Sequence, residues 1–458
     1  MNSLTPNSLH ARDIAAVLHP QTHARRHLQD GPTIMTHGQG VFIHDDAGNA
    51  FLDAGAGLWC ASLGYANERL ARTAYEAMRT LGYYQLFRHA SHPAAIELSE
   101  KLLSIAPVPM SKVLLQCSGS EANDTALKLV WYHWNARGQP QRRKVISRLG
   151  SYHGSTCATI SLTGKPDYHA GFGLPFEGFR YVDCPNHYRA AEPGESEEAF
   201  SARMAAQLEA LILAEGPETV AAFWADPVQG GAGGLPPPRG YFERVQEVLR
   251  RHGVLFVADE VICGFGRTGA MWGCETYAIT PDILCCAKAL SAAMQPISAV
   301  LINEEIFQSL LTQSDRLGAF IHGFTYAGHP VCSAVALETL RIYEEMDLIG
   351  HVREVEPVFL RELGALQDHP MIGHFNGCGL IGGMEMVRDK DTRADWPAEA
   401  KLGARLDEAA RRNGLILRIV GNRIAFSPPL IITAAEIQDL AGRLRRSLDE
   451  VHAELVAL

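Results

Sequence analysis

No apolar segment of this sequence runs uninterrupted for the ~20 residues that a membrane-spanning helix needs. The opening stretch MNSLTPNSLHARDI has no cationic run followed by an apolar one, so a secretory leader is not expected and the reading is a cytoplasmic protein. Basic charge is in deficit as well: 41 Lys and Arg stand against 51 Asp and Glu, a formal charge of −10. That balance offers little to a nucleic acid or an anionic membrane surface, which leaves small molecules as the expected partners. The ten cysteines contain no CxxC pair, which argues for a reducing compartment and against a zinc module. Cys184 and His187 form one CxxH, and His23 and His27 stand a helical turn apart, but neither pair has an evident further ligand. No metal is expected. Low-complexity linkers and internal repeats are absent too, and AEPGESEE (191–198) reads as a solvated acidic loop.

What is present is enough apolar material, 47% of 458 residues, for two or three domains' worth of core. From about residue 112, short β-rich runs alternate with turns and longer amphipathic helices. This pattern predicts an α/β fold with a mostly parallel sheet and with function at the carboxyl ends of its strands. Four candidate strands end in polar residues: KVLLQ runs into Ser118-Gly119-Ser120, VAAFWA into Asp226, VLFVA into Asp259-Glu260, and ILCCA into Lys288. Near the C-terminus, TAAEIQDLAGRLRRSLDEV opens with a capping box, Thr433 to Glu436, and places Ile437, Leu440, Leu444 and Leu448 on one helical face. It is expected to cover a smaller sheet whose strands include LILRIV and RIAFS.

The strand ends carry complementary chemistry. A helix starting near Ser120, directly after a glycine turn, offers free amides and a dipole to a phosphate, although Ser118 and Glu121 also have the spacing of a plain capping box. Gly264, Gly266 and Gly269 satisfy GxGxxG, yet Asp259 and Glu260 separate them from the strand and no helix pattern follows, so a dinucleotide site is not expected. Asp259 closes an apolar strand, where a carboxylate is tolerable only opposite a cation such as a protonated pyridine nitrogen. Lys288 ends another, where a buried ammonium is costly unless the amine is covalently occupied. An imine-forming lysine, a phosphate-binding helix start and a carboxylate for a ring nitrogen are together what pyridoxal 5'-phosphate (PLP) requires.

Read in order, SGSEAND, SYHGS, DPVQGGAGG, ADEVICGFGRTG, PDILCCAKALS and HGFTYAGHP resemble the consecutive signatures of the class III aminotransferases, a fold-type-I PLP family, from about residue 30 to the C-terminus. The resemblance implies that Lys288 carries the cofactor, that Ser118, Gly119 and Ser120 bind its phosphate, and that Tyr152 stacks on its ring beside His153. It further implies that Asp259 pairs with the ring nitrogen, that Val261 packs behind it, and that Thr325 reaches the phosphate of a neighbouring subunit. A homodimer with sites at the interface follows from that last role. The implied fold is a large domain over residues 77–334 and a small one combining 1–76 with 335–458.

Specificity is read the same way. AGLWCASLGY, with Trp59, and NGLILRIVGNRIAFSPPL, with Arg418, resemble segments of the omega-amino acid and amine transaminases that use pyruvate. The resemblance implies that Arg418 swings in to hold a substrate carboxylate and out to admit an uncharged amine. Two departures stand out. Asp226 occupies a position where relatives carry glutamate, and Arg88 follows Phe87 in a segment that usually lines the entrance with aromatic or small residues. Arg88 is read as a second anion-binding group favouring acidic or sulfonated substrates. The expected activity is transfer of an amino group from an omega-amino acid or amine to pyruvate. Taurine or diamine transamination, aminomutation and decarboxylating transamination are the alternatives on this fold. A PLP-binding transcriptional regulator is not expected, because there is neither basic excess nor spare sequence for a DNA-binding segment.

Overall fold

The computed structural model describes residue 5 and residues 7–456 of the chain. Its largest sheet has seven strands in the order Lys112–Gln116, Ser298–Ile302, Ile283–Cys286, Leu255–Asp259, Val220–Ala225, Lys144–Arg148, Phe179–Val182. Ser298–Ile302 is antiparallel to both of its neighbours and the other pairings are parallel, so six strands share one direction. The alternation of a sheet buried on both faces is visible in Val220–Ala225. Phe223 packs with Phe256 and with Phe200, Met204 and Val245 from the helices Glu197–Glu215 and Tyr241–His252. Ala222 and Trp224 point the other way, to Leu127, Val130 and Trp134 of the helix Gly119–Ala136. With helices on both sides, solvent reaches the parallel strands at their ends, and the carboxyl ends of Lys112–Gln116, Val220–Ala225, Leu255–Asp259 and Ile283–Cys286 lie on one edge.

Two four-stranded sheets complete the fold. One joins Met35–Gln39, Phe42–Asp45 and Ala50–Asp53 to Leu415–Ile416, and the other orders Ile372–Cys378, Ile381–Met386, Arg423–Phe426 and Arg418–Val420. The run LILRIV is therefore two strands rather than one. Leu415–Ile416 pairs in parallel with Leu52 and Asp53, and after Leu417 the chain enters an antiparallel hairpin that turns at Gly421, φ 59°. The switch satisfies backbone groups of both sheets, since Ala54 N donates to Ile416 O while Arg418 to Val420 face Arg423 to Ala425. The last helix, Ala434–Val456, has the expected capping box: Glu436 N donates to Thr433 Oγ1 at 3.3 Å and Thr433 N to Glu436 Oε2 at 2.8 Å. Its Ile437, Leu440, Leu444 and Leu448 are fully buried.

Near the N-terminus the histidine spacing misleads. His23 caps the helix Ala24–Asp30 through Arg26 N. His27 instead meets Asp13 and His19, with Nε2 of His27 3.1 Å and Nε2 of His19 2.8 Å from the same Asp13 oxygen. Both imidazoles are satisfied as hydrogen-bond donors to that carboxylate, and the two bonds hold Asp13 below the usual aspartate range. All ten cysteines are unpaired.

Candidate active site

At the shared strand edge, Ser118, Gly119, Ser120, Tyr152, His153, Asp259, Val261 and Lys288 line one cavity of about 430 Å³. Lys288 follows the strand Ile283–Cys286 by two residues and takes φ 46°, a left-handed conformation that costs a non-glycine residue roughly 1 kcal/mol or more. Among the described residues its Nζ has neither an ion pair nor a hydrogen bond. Burial lowers its pKa from the ordinary lysine value, and the nearby Asp259 opposes this in part. A lysine shifted toward its neutral form is the nucleophile an aldehyde needs.

Asp259 is almost fully buried and held by three donors. Asn123 Nδ2 and His153 Nδ1 reach its Oδ2 at 2.8 and 2.7 Å, and Val261 N reaches Oδ1 at 3.1 Å. Asn123 is itself fixed, since its Oδ1 accepts from Trp224 Nε1 at 2.9 Å. With Nδ1 of His153 committed to Asp259, its buried Nε2 has no hydrogen-bond partner among the described residues.

The helix Gly119–Ala136 opens at the cavity with its first amides free of intrahelical partners. Ser118 is its N-cap, accepting from Glu121 N at 3.2 Å, while the Glu121 side chain accepts from Cys117 N at 2.8 Å rather than from Ser118 N, so only the serine half of a capping box forms and it stands at the anion-facing helix start. The backbone comes close here because residue 119 is glycine: a Cβ would sit 2.9 Å from Cγ1 of Val261. Ser120 Oγ accepts from Ser155 N at 3.0 Å, and Ser155 Oγ lies 2.8 Å from the Tyr152 hydroxyl. Asp226 also lines the cavity, and one of its oxygens is 2.6 Å from Nη2 of the fully buried Arg148 while the other accepts from Gly230 N at 2.9 Å. The shorter acidic side chain at this position thus serves a buried ion pair.

A second cavity of about 460 Å³ continues from the first through Tyr152, Ile262 and Lys288. It contains Trp59, at φ 66° and nearly buried, together with Lys165, Tyr168 and Arg418. Pro20 and Gln21 close one side, where Tyr168 donates to Gln21 Oε1 at 3.2 Å. Trp59 and Arg418 are thereby brought to Lys288 as expected. Phe87, Arg88 and Thr325 do not line the cavity of their own chain, and the place expected for Thr325 is the site of a neighbouring subunit. Phe87 and Arg88 are exposed on a separate concave surface with Lys112, Gln116, Phe320 and His322, because their segment packs on the edge strand Lys112–Gln116. Thr325 is exposed in a loop where its carbonyl accepts from Tyr83 at 2.8 Å. The sequence reading passes over Asn123, Arg148 and Lys165. Asn123 alone leaves a signal, three residues beyond Ser120 and so on the same helical face.

The groups present fit PLP. Asp259, with one Oδ1 lone pair free, suits a ring nitrogen; the helix start at Gly119 and Ser120 suits a phosphate; and among the described residues the buried Nε2 of His153 beside the cavity has no partner. Comparison with known proteins agrees. The profile of the family described as Aminotransferase class-III matches residues 24–448. The chain is 45% identical over 420 residues to gamma aminobutyrate transaminase 3, chloroplastic, of Solanum lycopersicum, covering 92% of this chain and 81% of that one. It is 43% identical over 428 residues to gamma-aminobutyrate transaminase 1, mitochondrial, of Oryza sativa subsp. indica, covering 93% and 83%. The omega transaminase from Pseudomonas jessenii in complex with PMP superposes with a TM-score of 0.96 at 48% identity, covering 97% of this chain and 98% of that one. The chain belongs to the class III aminotransferases, PLP-dependent enzymes of fold type I that transfer amino groups.

Proposed function

We propose that this aminotransferase moves the terminal amino group of an omega-amino acid, or of a primary amine, to pyruvate. The observation that carries this reading is the second cavity, which is lined by Lys288, the Trp59 ring and Arg418, the last without an ion-pair partner among the described residues. An amine presented to Lys288 leaves the far end of a short chain in that cavity, where a guanidinium holds a carboxylate by paired charge-assisted hydrogen bonds. An indole wall accepts an apolar group when no carboxylate is there. The printed names of the similar proteins, gamma aminobutyrate transaminases and omega transaminases, support donors of this kind.

When bound, PLP supplies an electron sink for the pair left on the substrate carbon when its proton is removed. The chain does the rest. Asp259, oriented by Asn123, His153 and Val261 N, would pair with the ring nitrogen. Lys288, shifted toward its neutral form by burial, would take the proton from the amine-bearing carbon of the substrate and would deliver it to the cofactor carbon on the other side of the nitrogen. The apolar lining by Val261 and Ile262 limits water at that point. Both half-reactions use the same groups in opposite directions, a ping-pong scheme.

The same proposal includes a cytoplasmic homodimer, with residues 77–334 as the cofactor domain and 1–76 plus 335–458 as the small one. Exposed Phe87, Arg88 and Thr325, away from their own chain's cavity, support a role across such an interface. Steady-state assays with 4-aminobutyrate, β-alanine, taurine, putrescine and 1-phenylethylamine, each paired with pyruvate and with 2-oxoglutarate, test the substrate reading. Turnover of a carboxylated omega-amine with pyruvate supports it. Turnover confined to 2-oxoglutarate as acceptor, or to taurine as donor, contradicts it.

A further inference from the structure

Lys165 stands in the wall of the Arg418 cavity with no evident structural duty. It precedes the short helix Pro166–His169 and is half-buried, with Nζ 5.6 Å from the centre of the Tyr168 ring. Among the described residues neither Lys165 nor Arg418 has a side-chain hydrogen bond or a carboxylate within 4 Å. Asp226 is near enough to be felt by Lys165, but its two oxygens are engaged by Arg148 and Gly230 N. Burial lowers the pKa of Lys165, and the neighbouring Arg418 lowers it further. Two like charges therefore share a half-enclosed space in which Asp167 and Asp226 are near enough to act on Lys165 but, among the described residues, no carboxylate contacts either cation, an arrangement that favours entry of an anion. Tyr152, Ile262 and Lys288 connect that space to the reacting amine.

We propose that Lys165 and Arg418 together hold the carboxylate of the omega-amino acid or keto acid, with Lys165 keeping the cavity selective for carboxylates when Arg418 turns outward. This rests on the substrate reading above. Lysine is suited to the second position because its ammonium is a compact point charge on a flexible stem, able to follow a carboxylate that the planar guanidinium orients.

The test compares Lys165→Met and Lys165→Arg with the unaltered holoenzyme. Removing one charge-assisted contact is expected to raise KM for 4-aminobutyrate and for pyruvate roughly tenfold with kcat little affected. For 1-phenylethylamine the change in kcat/KM is expected to stay under about twofold, and Lys165→Arg is expected to recover most of the loss. Calorimetric titration of the holoenzyme with butanoate, which has the carboxylate but no amine, gives a second readout, with Kd expected to rise roughly tenfold in Lys165→Met. An unaltered butanoate Kd, or equal losses for the carboxylated and neutral donors, overturns the proposal. If the unaltered enzyme uses no carboxylated donor at all, the substrate reading fails, and the butanoate titration still decides whether Lys165 binds carboxylates.

Discussion

Asn123 Nδ2 donates to Asp259 Oδ2 at 2.8 Å, joining the first helix of the site to the strand that carries its buried carboxylate. His153 Nδ1, 2.7 Å from the same oxygen, completes a clamp that fixes the direction of Asp259. Asp259→Asn keeps the shape but cannot hold a ring nitrogen protonated. It is expected to retain the cofactor while slowing the first half-reaction by roughly 10²-fold or more, measured as the rate at which an amine donor bleaches the cofactor's visible absorbance. A rate within a few-fold of the unaltered enzyme would contradict the role assigned to Asp259.

Gly119 is a question of space. A methyl at this position lies 2.9 Å from Cγ1 of Val261 and would push that side chain into the cavity or draw the helix start away from it. Gly119→Ala is expected to weaken PLP at least about tenfold, read by dialysis against free cofactor, with little loss of melting temperature for the apoprotein.

Asp226 tests the buried ion pair. Removing it strands a fully buried Arg148, and Asp226→Ala is expected to cost about 3–5 kcal/mol in denaturant unfolding. Replacing both partners by apolar residues, as in Arg148→Met with Asp226→Leu, is expected to cost less than the single change, because no charge is then left unpaired.

The pH dependence of stability has one clear contributor. His133, buried on the helix Gly119–Ala136 against Ser309, has a pKa lowered to about 4, chiefly by burial. The fold therefore prefers the neutral ring, and the unfolded chain binds the extra proton between that value and the ordinary histidine value of ~6.5. The contribution is present above ~pH 6.5 and is lost as pH falls toward ~4, amounting to roughly 2 kcal/mol between pH 7 and 5. His133→Gln is expected to flatten this part of the unfolding free energy over that window. An unaltered acid slope would assign it to other groups.

Much of the site was legible because parallel strands buried on both faces leave polar residues only at their ends. Ser118, Asp226, Asp259 and Lys288 were found as four interruptions of apolar runs, and the fold brings them to one edge. What stayed hidden depends on direction and partner rather than on pattern. Ser298–Ile302 is a short apolar run that ends in polar residues as its neighbours do, and nothing local tells that it runs antiparallel. LILRIV is continuous in sequence but divided between two sheets by the hydrogen bonds each sheet needs. Lys165 looks like any loop lysine until the fold sets it beside Arg418. Phe87 and Arg88 follow one another in an entrance-like motif, and the packing of their segment on an edge strand places them away from the cavity of their own chain.

The most direct test is the absorbance of the purified protein between ~300 and 450 nm, followed as omega-amine donors and then pyruvate are added. The account predicts a visible band that 4-aminobutyrate or another carboxylated omega-amine bleaches and that pyruvate restores, and predicts that Lys288→Ala abolishes both changes. A protein that shows no such band after incubation with PLP, or one whose band responds to donors without Lys288, would contradict it.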